Sequence, residues 1–379
     1  MTERIGVFGG TFDPVHMGHL LFAEAALEQA GLARVLFMPA HIQPFKQGEG
    51  IGPDDDRLRM LRLATADNPG FGITTVEIDK GGVSYTIDSL RSITGTVPLI
   101  DKSINGTVPM IARTLRTQKE PSLLCSLCFI VGADMFLNIR KWKEADALIS
   151  GFDFAVGARP GYDFDAAAAL AAELRESHGA RIVIIKNPQI ELSSTEIREH
   201  VKNGESIRYH VPESVRRYLL VREKVGAKRF EHTKRVIDLA SEMAERFGES
   251  VEKAELAALL HDYEKDPAGG VENDIRHGEI AAEAVARDFG VKDTDVLNAI
   301  RYHTTGRAGM SRLERIIFLA DTVEPGRTYN SISKLRETCL DDLEKGTYTV
   351  LVELKKYLQM KGLTVSEDTE AAIREGIVG

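Results

Sequence analysis

The feature that most constrains this chain is a change of hydrophobic rhythm near residue 228. Before it, short apolar, β-branched runs alternate with helical periodicity. Strands are predicted over 5–8, 35–38, 73–78, 129–132, 154–158 and 182–185, and helices over 20–30, 56–66 and 165–177. Such alternation points to a parallel sheet, because successive parallel strands need crossovers and the crossover helices cover the sheet's faces. Beyond residue 228 no strand pattern survives. Helical periodicity recurs over 231–247, 251–261, 277–289, 294–303, 311–323 and 343–360. Two architectures need two cores, and 379 residues supply them at roughly 150 per domain. The expectation is an α/β domain over 1–222 and an all-α bundle over 226–379, divided in the charged stretch 221–228 around Gly226.

Composition narrows the partners. The net charge is −9, with 23 basic against 30 acidic residues beyond position 222. Neither half has the basic excess that nucleic-acid binding uses, so nucleic acid is not an expected partner. No run approaches the roughly 18 uncharged apolar residues of a membrane helix, so no membrane partner is expected either. The cysteines, Cys125, Cys128 and Cys339, are too few for a disulfide framework. With no leader-like segment before the first strand, a cytoplasmic protein is expected. Cys125 and Cys128 are read as partly buried thiols flanking a strand. Similar heptapeptides at 94–100 and 105–111 are read as turns of a surface insertion.

The first strand runs into Gly9-Gly10-Thr11-Phe12-Asp13-Pro14-Val15-His16-Met17-Gly18-His19, and a helix follows. Glycines let the backbone approach a ligand, and the helix start offers free N–H groups to an anion. His16 and His19 share one side of that first turn and can stabilise charge developing on phosphorus. The stretch resembles the nucleotidylyltransferase superfamily, marked by His-x-Gly-His, and within it the bacterial nicotinate-nucleotide adenylyltransferases. The resemblance rests also on Phe37-Met38-Pro39 with Pro44-Phe45-Lys46, Arg57-Leu58-Arg59-Met60-Leu61 and Ser84-Tyr85-Thr86-Ile87-Asp88. It continues in Phe129-Ile130-Val131-Gly132-Ala133-Asp134, Trp142, Arg159-Pro160-Gly161 and Ser193-Ser194-Thr195-Glu196-Ile197-Arg198.

The resemblance implies a Rossmann-like fold over about 1–222 and transfer of AMP from ATP, with Mg²⁺, to nicotinate mononucleotide. It implies that His16, His19, Lys46 and Arg198 bind and polarise the phosphates. Gly9, Gly10, Thr11 and Phe12 form the loop, and Ser193, Ser194 and Thr195 add phosphate contacts at a helix start. Trp142 stacks on the nicotinate ring near Tyr85 and Thr86. Gly132 and Asp134 lie by the nucleotides, and Arg159 takes a phosphate or carboxylate. His41 reads as a loop residue. Another adenylyl or cytidylyl transfer, such as to pantetheine phosphate, stays open. The interval 90–129 is longer than the family pattern.

The helical half holds His232, His261-Asp262, His277, His303 and Asp321, in or beside different predicted helices. Imidazoles with carboxylates suit Mn, Fe or Zn, and buried carboxylates among imidazoles call for a compensating cation. The pattern resembles HD-domain phosphohydrolases. Arg229-Phe230-Glu231-His232-Thr233, His261-Asp262-Tyr263-Glu264-Lys265 and Tyr302-His303-Thr304-Thr305-Gly306-Arg307 narrow it to the symmetrical diadenosine tetraphosphatases, as does Asp321 with Glu324-Pro325-Gly326-Arg327. That resemblance implies two divalent metals, Fe or Mn. His232, His261, Asp262 and Asp321 would hold one, and His277 and His303 the second. Lys265, Arg307 and Arg327 would neutralise a dinucleoside polyphosphate. A nucleotide sensor without turnover, other nucleotide substrates and a homo-oligomer stay open.

Overall fold

Ile5-Gly6-Val7-Phe8 is apolar without alternation because both faces of its strand are covered. In the computed structural model, described over residues 3–42, 50–95, 125–158, 164–188, 190–265, 271–329 and 331–376, this run lies in β1 (Glu3–Gly10). The other strands are β2 (Arg34–Pro39), β3 (Phe71–Ile73), β4 (Cys125–Gly132), β5 (Asp153–Gly157) and β6 (Ile182–Ile185). All pairings are parallel, in the order β3-β2-β1-β4-β5-β6. The order reverses direction between β1 and β4. Connections leaving their carboxyl ends therefore diverge and open a crevice there. The helices of this unit are α1 (Met17–Gln29), α2 (Asp54–Thr65), α3 (Val76–Lys80), α4 (Thr86–Gly95), α5 (Ala133–Phe136), α6 (Ala145–Gly151), α7 (Phe164–His178) and α8 (Ser194–Lys202). The unit ends at Arg216 and the second begins at Arg217.

Close packing of sheet on helix shows at Gly157. A Cβ there would stand 2.1 Å from the Phe22 ring of α1. Gly157→Ala must displace a buried ring, and overpacking of this kind costs about 1–3 kcal/mol. The single tryptophan, Trp142, belongs to this unit, so its fluorescence during denaturant unfolding reports the loss. An unchanged midpoint would show that the ring moves freely.

The strand predicted over 73–78 is corrected. Only Phe71–Ile73 pairs with β2, and the β-branched run beyond it turns into the short helix α3. There Glu77 is 5% exposed and accepts a 2.6 Å hydrogen bond from Ser89. Burial raises its pKa against the lowering pull of Ser89, Ser84 and Lys80. A raised carboxyl means that the unfolded chain releases its proton first. This contribution is therefore intact below the ordinary glutamate range and is lost as pH rises through the folded value. Glu77→Gln should be more stable than the parent at pH 7, with the advantage shrinking toward pH 4. A pH-independent difference in thermal midpoint would contradict this.

The second unit is helical: α9 (Glu213–Phe247, beginning before the division), α10 (Val251–Leu260), α11 (Val271–Phe289), α12 (Thr294–Arg301), α13 (Arg312–Val323), α14 (Ile332–Asp341), α15 (Leu343–Met360) and α16 (Glu367–Gly376). Gly226 interrupts α9 with a φ of +74°, inside the charged stretch expected to hold the domain boundary. α13 is buried on nearly every side, from Leu313 to Val323, and runs through the core. Sequence reading missed α14 and α16, which bury only two or three side chains each. Ser193, Ser250, Asp293, Ser311 and Asp342 cap α8, α10, α12, α13 and α15 through side-chain oxygens.

Among the described residues no helix is long and apolar enough to cross a membrane. Cys128 lies within β4, wholly buried, rather than flanking it; burial pushes its thiol up to about 12. Of the repeat-bearing segment, Thr94 and Gly95 close α4 rather than form a turn, and residues 96–124 lie outside the described residues.

Candidate active sites

In the first unit, β1 ends in a loop that folds back on itself. Phe12 takes a left-handed φ of +51° and tucks its ring over Gly10, where a Cβ would come within 2.8 Å. Arg57 of α2, with no exposed surface, donates to the Thr11 carbonyl at 2.7 Å and fixes the loop from below. The chain then enters α1 with His16 as its N-cap. The His16 and His19 rings stack 3.7 Å apart, and the His16 backbone N–H donates to His19 Nδ1 at 3.3 Å. Gly18 makes room, since a Cβ would sit 3.1 Å from His16 Nδ1.

The α8 N-terminus is tied to the same loop. Ser194 Oγ donates to the Pro14 carbonyl at 2.9 Å. Arg198 donates to the Asp13 carbonyl, and its Nη2 lies 3.3 Å from Thr195 Oγ1. Ser193 caps the helix, accepting from the Glu196 N–H at 3.1 Å. His16, His19, Ser194, Thr195 and Arg198 are thereby brought together although nearly 180 residues separate them. Asp13 links a further segment by accepting from the Gly52 N–H at 2.8 Å.

Beside this, β1 pairs with β4, so Gly132 and Asp134 leave the same sheet edge as Gly9 and Gly10. Trp142 packs edge-on against Phe129 of β4 at 5.9 Å, and its indole N–H is buried without a hydrogen-bond partner among the described residues. Tyr85, 38% exposed, lies under the Lys143 ammonium at 4.9 Å, and Thr86 begins α4. Lys46 and Arg159 lie outside the described residues. Sequence reading gave no role to Asp13 or Arg57, whose signal is geometric: a charged side chain buried beside a glycine loop.

In the second unit the six expected side chains converge. Asp262, 1% exposed, stands at the centre. Its Oδ2 is 3.0 Å from His261 Nε2 and 3.8 Å from His232 Nε2. Its Oδ1 is 3.0 Å from His277 Nε2 and 3.8 Å from His303 Nε2. Asp321 joins the first side, 3.0 Å from His232 Nε2, while His277 and His303 approach each other at 2.9 Å on the second. Two groups of potential metal ligands therefore share one carboxylate. Gly278 permits the approach, because a Cβ would stand 2.6 Å from the Arg301 carbonyl and 3.2 Å from His303 Nδ1.

The outer nitrogens fix the tautomers. His261 Nδ1 donates to the Ala258 carbonyl and His303 Nδ1 to the Ile300 carbonyl, both at 2.7 Å. Once neutral, as metal ligation requires, such rings turn their Nε2 lone pairs inward. His232 Nε2, His261 Nε2 and Asp262 Oδ1 are buried with no hydrogen-bond partner among the described residues. Lone pairs aimed at carboxylate oxygens in a buried site repel one another unless a cation lies between them. The donor set therefore fits divalent metal. Burial is the main cause that pushes His303 down to about 3, so its ring is neutral and ready to ligate. Asp262 lies well below the usual carboxylate range; burial pulls it upward, but His261, His277 and Arg229 outweigh that.

Arginines and one glutamate complete the surroundings. Arg229 ion-pairs with Asp262, and Arg327 with Asp321 Oδ1 at 3.1 Å. His232 Nδ1 meets the buried Glu324 at 3.2 Å, which Arg235 also holds. Sequence reading missed Arg229, Arg235 and Glu324 as functional, though the first and last stand within motifs it used. Lys265 donates its backbone N–H to the Asp262 carbonyl at 2.9 Å. Arg307 is instead bound through two nitrogens to Glu314, at 2.6 and 2.7 Å.

Two family models match this chain. Residues 7–200 match the cytidylyltransferase-like family and residues 229–326 the HD domain. A probable nicotinate-nucleotide adenylyltransferase of Symbiobacterium thermophilum is 37% identical over 216 residues, 57% of this chain and 92% of that protein. One from a Thermoanaerobacter species is 38% identical, over 57% and 91%. A crystal structure from Clostridium acetobutylicum, described as a predicted HD superfamily hydrolase involved in NAD metabolism, is 33% identical. It covers 43% of this chain and 96% of its own, with a TM-score of 0.40.

Proposed function

The chain belongs to the cytidylyltransferase-like family, with nicotinate-nucleotide adenylyltransferases as relatives, and carries an HD domain behind that unit; from this premise we propose that it joins two enzymes. The first transfers AMP from Mg²⁺-ATP to nicotinate mononucleotide, giving nicotinate adenine dinucleotide and pyrophosphate. The second hydrolyses dinucleoside polyphosphates, with diadenosine tetraphosphate cut symmetrically to ADP.

The observation that carries the first reading is the tie between the stacked His16 and His19 and the α8 N-terminus, which puts Ser194, Thr195 and Arg198 beside them. Phosphoryl-type transfer needs positioning and electrostatic stabilisation rather than a covalent nucleophile on the protein. His16 and His19 supply hydrogen-bond donors, and Arg198, with Lys46, supplies positive charge. The loop from Gly9 to Phe12 brings backbone close to the phosphates, and Ser193, Ser194 and Thr195 add donors at a helix start. Trp142, Tyr85 and Thr86 receive the pyridine ring, with Gly132 and Asp134 beside the nucleotides and Arg159 a further anion partner. The purified full chain, given ATP and nicotinate mononucleotide, should release pyrophosphate. Release only with another acceptor, such as pantetheine phosphate, would overturn the assignment.

The shared carboxylate of Asp262 carries the second reading. His232, His261, Asp262 and Asp321 would hold one divalent cation, and Asp262, His277 and His303 the other, with Fe or Mn suited to such ligands. Bound there, the pair would supply Lewis acidity for phosphoanhydride hydrolysis. The protein's own part is to fix the imidazole tautomers and to place Lys265, Arg229 and Arg327 where polyphosphate charge accumulates. Arg307 would have to leave Glu314 to share that role. Loaded with Mn²⁺, the full chain should turn over diadenosine tetraphosphate to ADP ahead of cyclic nucleotides and deoxynucleotides. Binding of nucleotides without any hydrolysis would favour a sensor.

A further inference from the structure

His41, a loop residue just beyond β2, stands at a junction in the first unit. Ala40, before it, donates its N–H to the Gly10 carbonyl of the glycine loop at 2.9 Å. Ile42, after it, bridges Val83 and accepts from the Ser84 N–H at 3.0 Å, next to Tyr85 and Thr86. His41 therefore sits where the strand-end segment joins the phosphate loop to the segment assigned to the pyridine side. Its side chain is held: Nδ1 donates to Asp54 Oδ2 at 2.6 Å, and the other oxygen of Asp54 is paired with the buried Arg57. Arg57 in turn bonds the Thr11 carbonyl, so the imidazole and the phosphate loop share one rigid support. No described group bonds His41 Nε2, and the ring is about a third exposed.

We propose that His41, oriented by Asp54, is a further substrate-binding residue of the transferase, whose Nε2–H contacts the phosphomonoester of the mononucleotide acceptor. The reasoning is one of placement and charge. A carboxylate on Nδ1 fixes the ring and leaves Nε2 directed away from the support. The only anion that must reach both the glycine loop and the pyridine-side segment is the acceptor's phosphate, which has to approach the α-phosphorus while its ring lies by Tyr85. This rests on the transferase reading above.

The test is steady-state kinetics on the full chain with His41→Ala and His41→Gln, varying ATP and nicotinate mononucleotide separately. A hydrogen bond to a charged group is typically worth a fold-change of about 10–100. His41→Ala should raise KM for nicotinate mononucleotide by about that factor, with KM for ATP little changed. His41→Gln, which keeps a neutral donor, should recover part of the loss. Hydrolase activity should match the parent, marking the chain as folded. An unchanged acceptor KM, or a rise confined to ATP, would overturn the proposal. If the parent chain itself transfers nothing to nicotinate mononucleotide, the transferase reading fails first, independently of His41.

Discussion

Asp262→Asn should remove both metal subsites at once. Each oxygen of this carboxylate serves a different pair of histidines: Oδ2 faces His232 and His261, Oδ1 faces His277 and His303. An amide keeps the shape but loses the charge, and it turns an NH₂ donor toward one of the two sides. Loss of a partner that merely orients a ligand costs metal affinity about 10–100-fold, so loss of a ligand shared by two subsites should cost hydrolysis about 1000-fold or more. Elemental analysis of Mn²⁺-loaded protein should find up to two ions in the parent and close to none in the variant. Thermal stability gives an independent readout: metal at 100 times its Kd should stabilise the second unit of the parent by about 2.7 kcal/mol, and leave the variant unmoved. The transferase should persist, because it lies in the other unit. A variant that still takes up two ions and hydrolyses at the parent rate would end the shared-carboxylate reading.

How legible this was from sequence differed between the two units. In the first, the α/β alternation was plain because the apolar runs of β1, β2, β4 and β5 are buried on both faces and unbroken. β3 is instructive. Residues 73–78 have strand composition, but β2 offers pairing only as far as Ile73, and Gly81, at a φ of +66°, ends the helix that follows. The His16 and His19 pair was legible because local spacing determines its geometry. Arg57 and Asp13 were not, since their bonds to Thr11 and Gly52 join segments some 40 residues apart. In the second unit all six candidate ligands were visible as residue types, but their division around Asp262 depends on helix packing, through Gly278, that no periodicity reports. Arg307 shows the converse hazard. A basic residue near a motif looked available for substrate, whereas Glu314 holds it from α13.

His19→Ala should reverse the pattern of Asp262→Asn. His19 lies face to face with His16 and edge-on to Phe12 at 5.0 Å, so its ring is held on two sides. Its Nδ1 accepts from the His16 backbone, which leaves Nε2 as the donor toward substrate. A preorganised donor aimed at charge that develops only during transfer lowers the barrier more than it tightens binding. Its removal should therefore appear chiefly in kcat, by about 100- to 1000-fold, with a smaller change in KM for ATP. His19→Asn, retaining a shorter donor, should fall between parent and alanine variant. Diadenosine tetraphosphate hydrolysis should be untouched in the same preparation, and Trp142 fluorescence should show the first unit folded. Loss of both activities from a folded chain would mean that the two sites are not independent. A purely KM effect would make His19 a binding group rather than one that acts on the transition state.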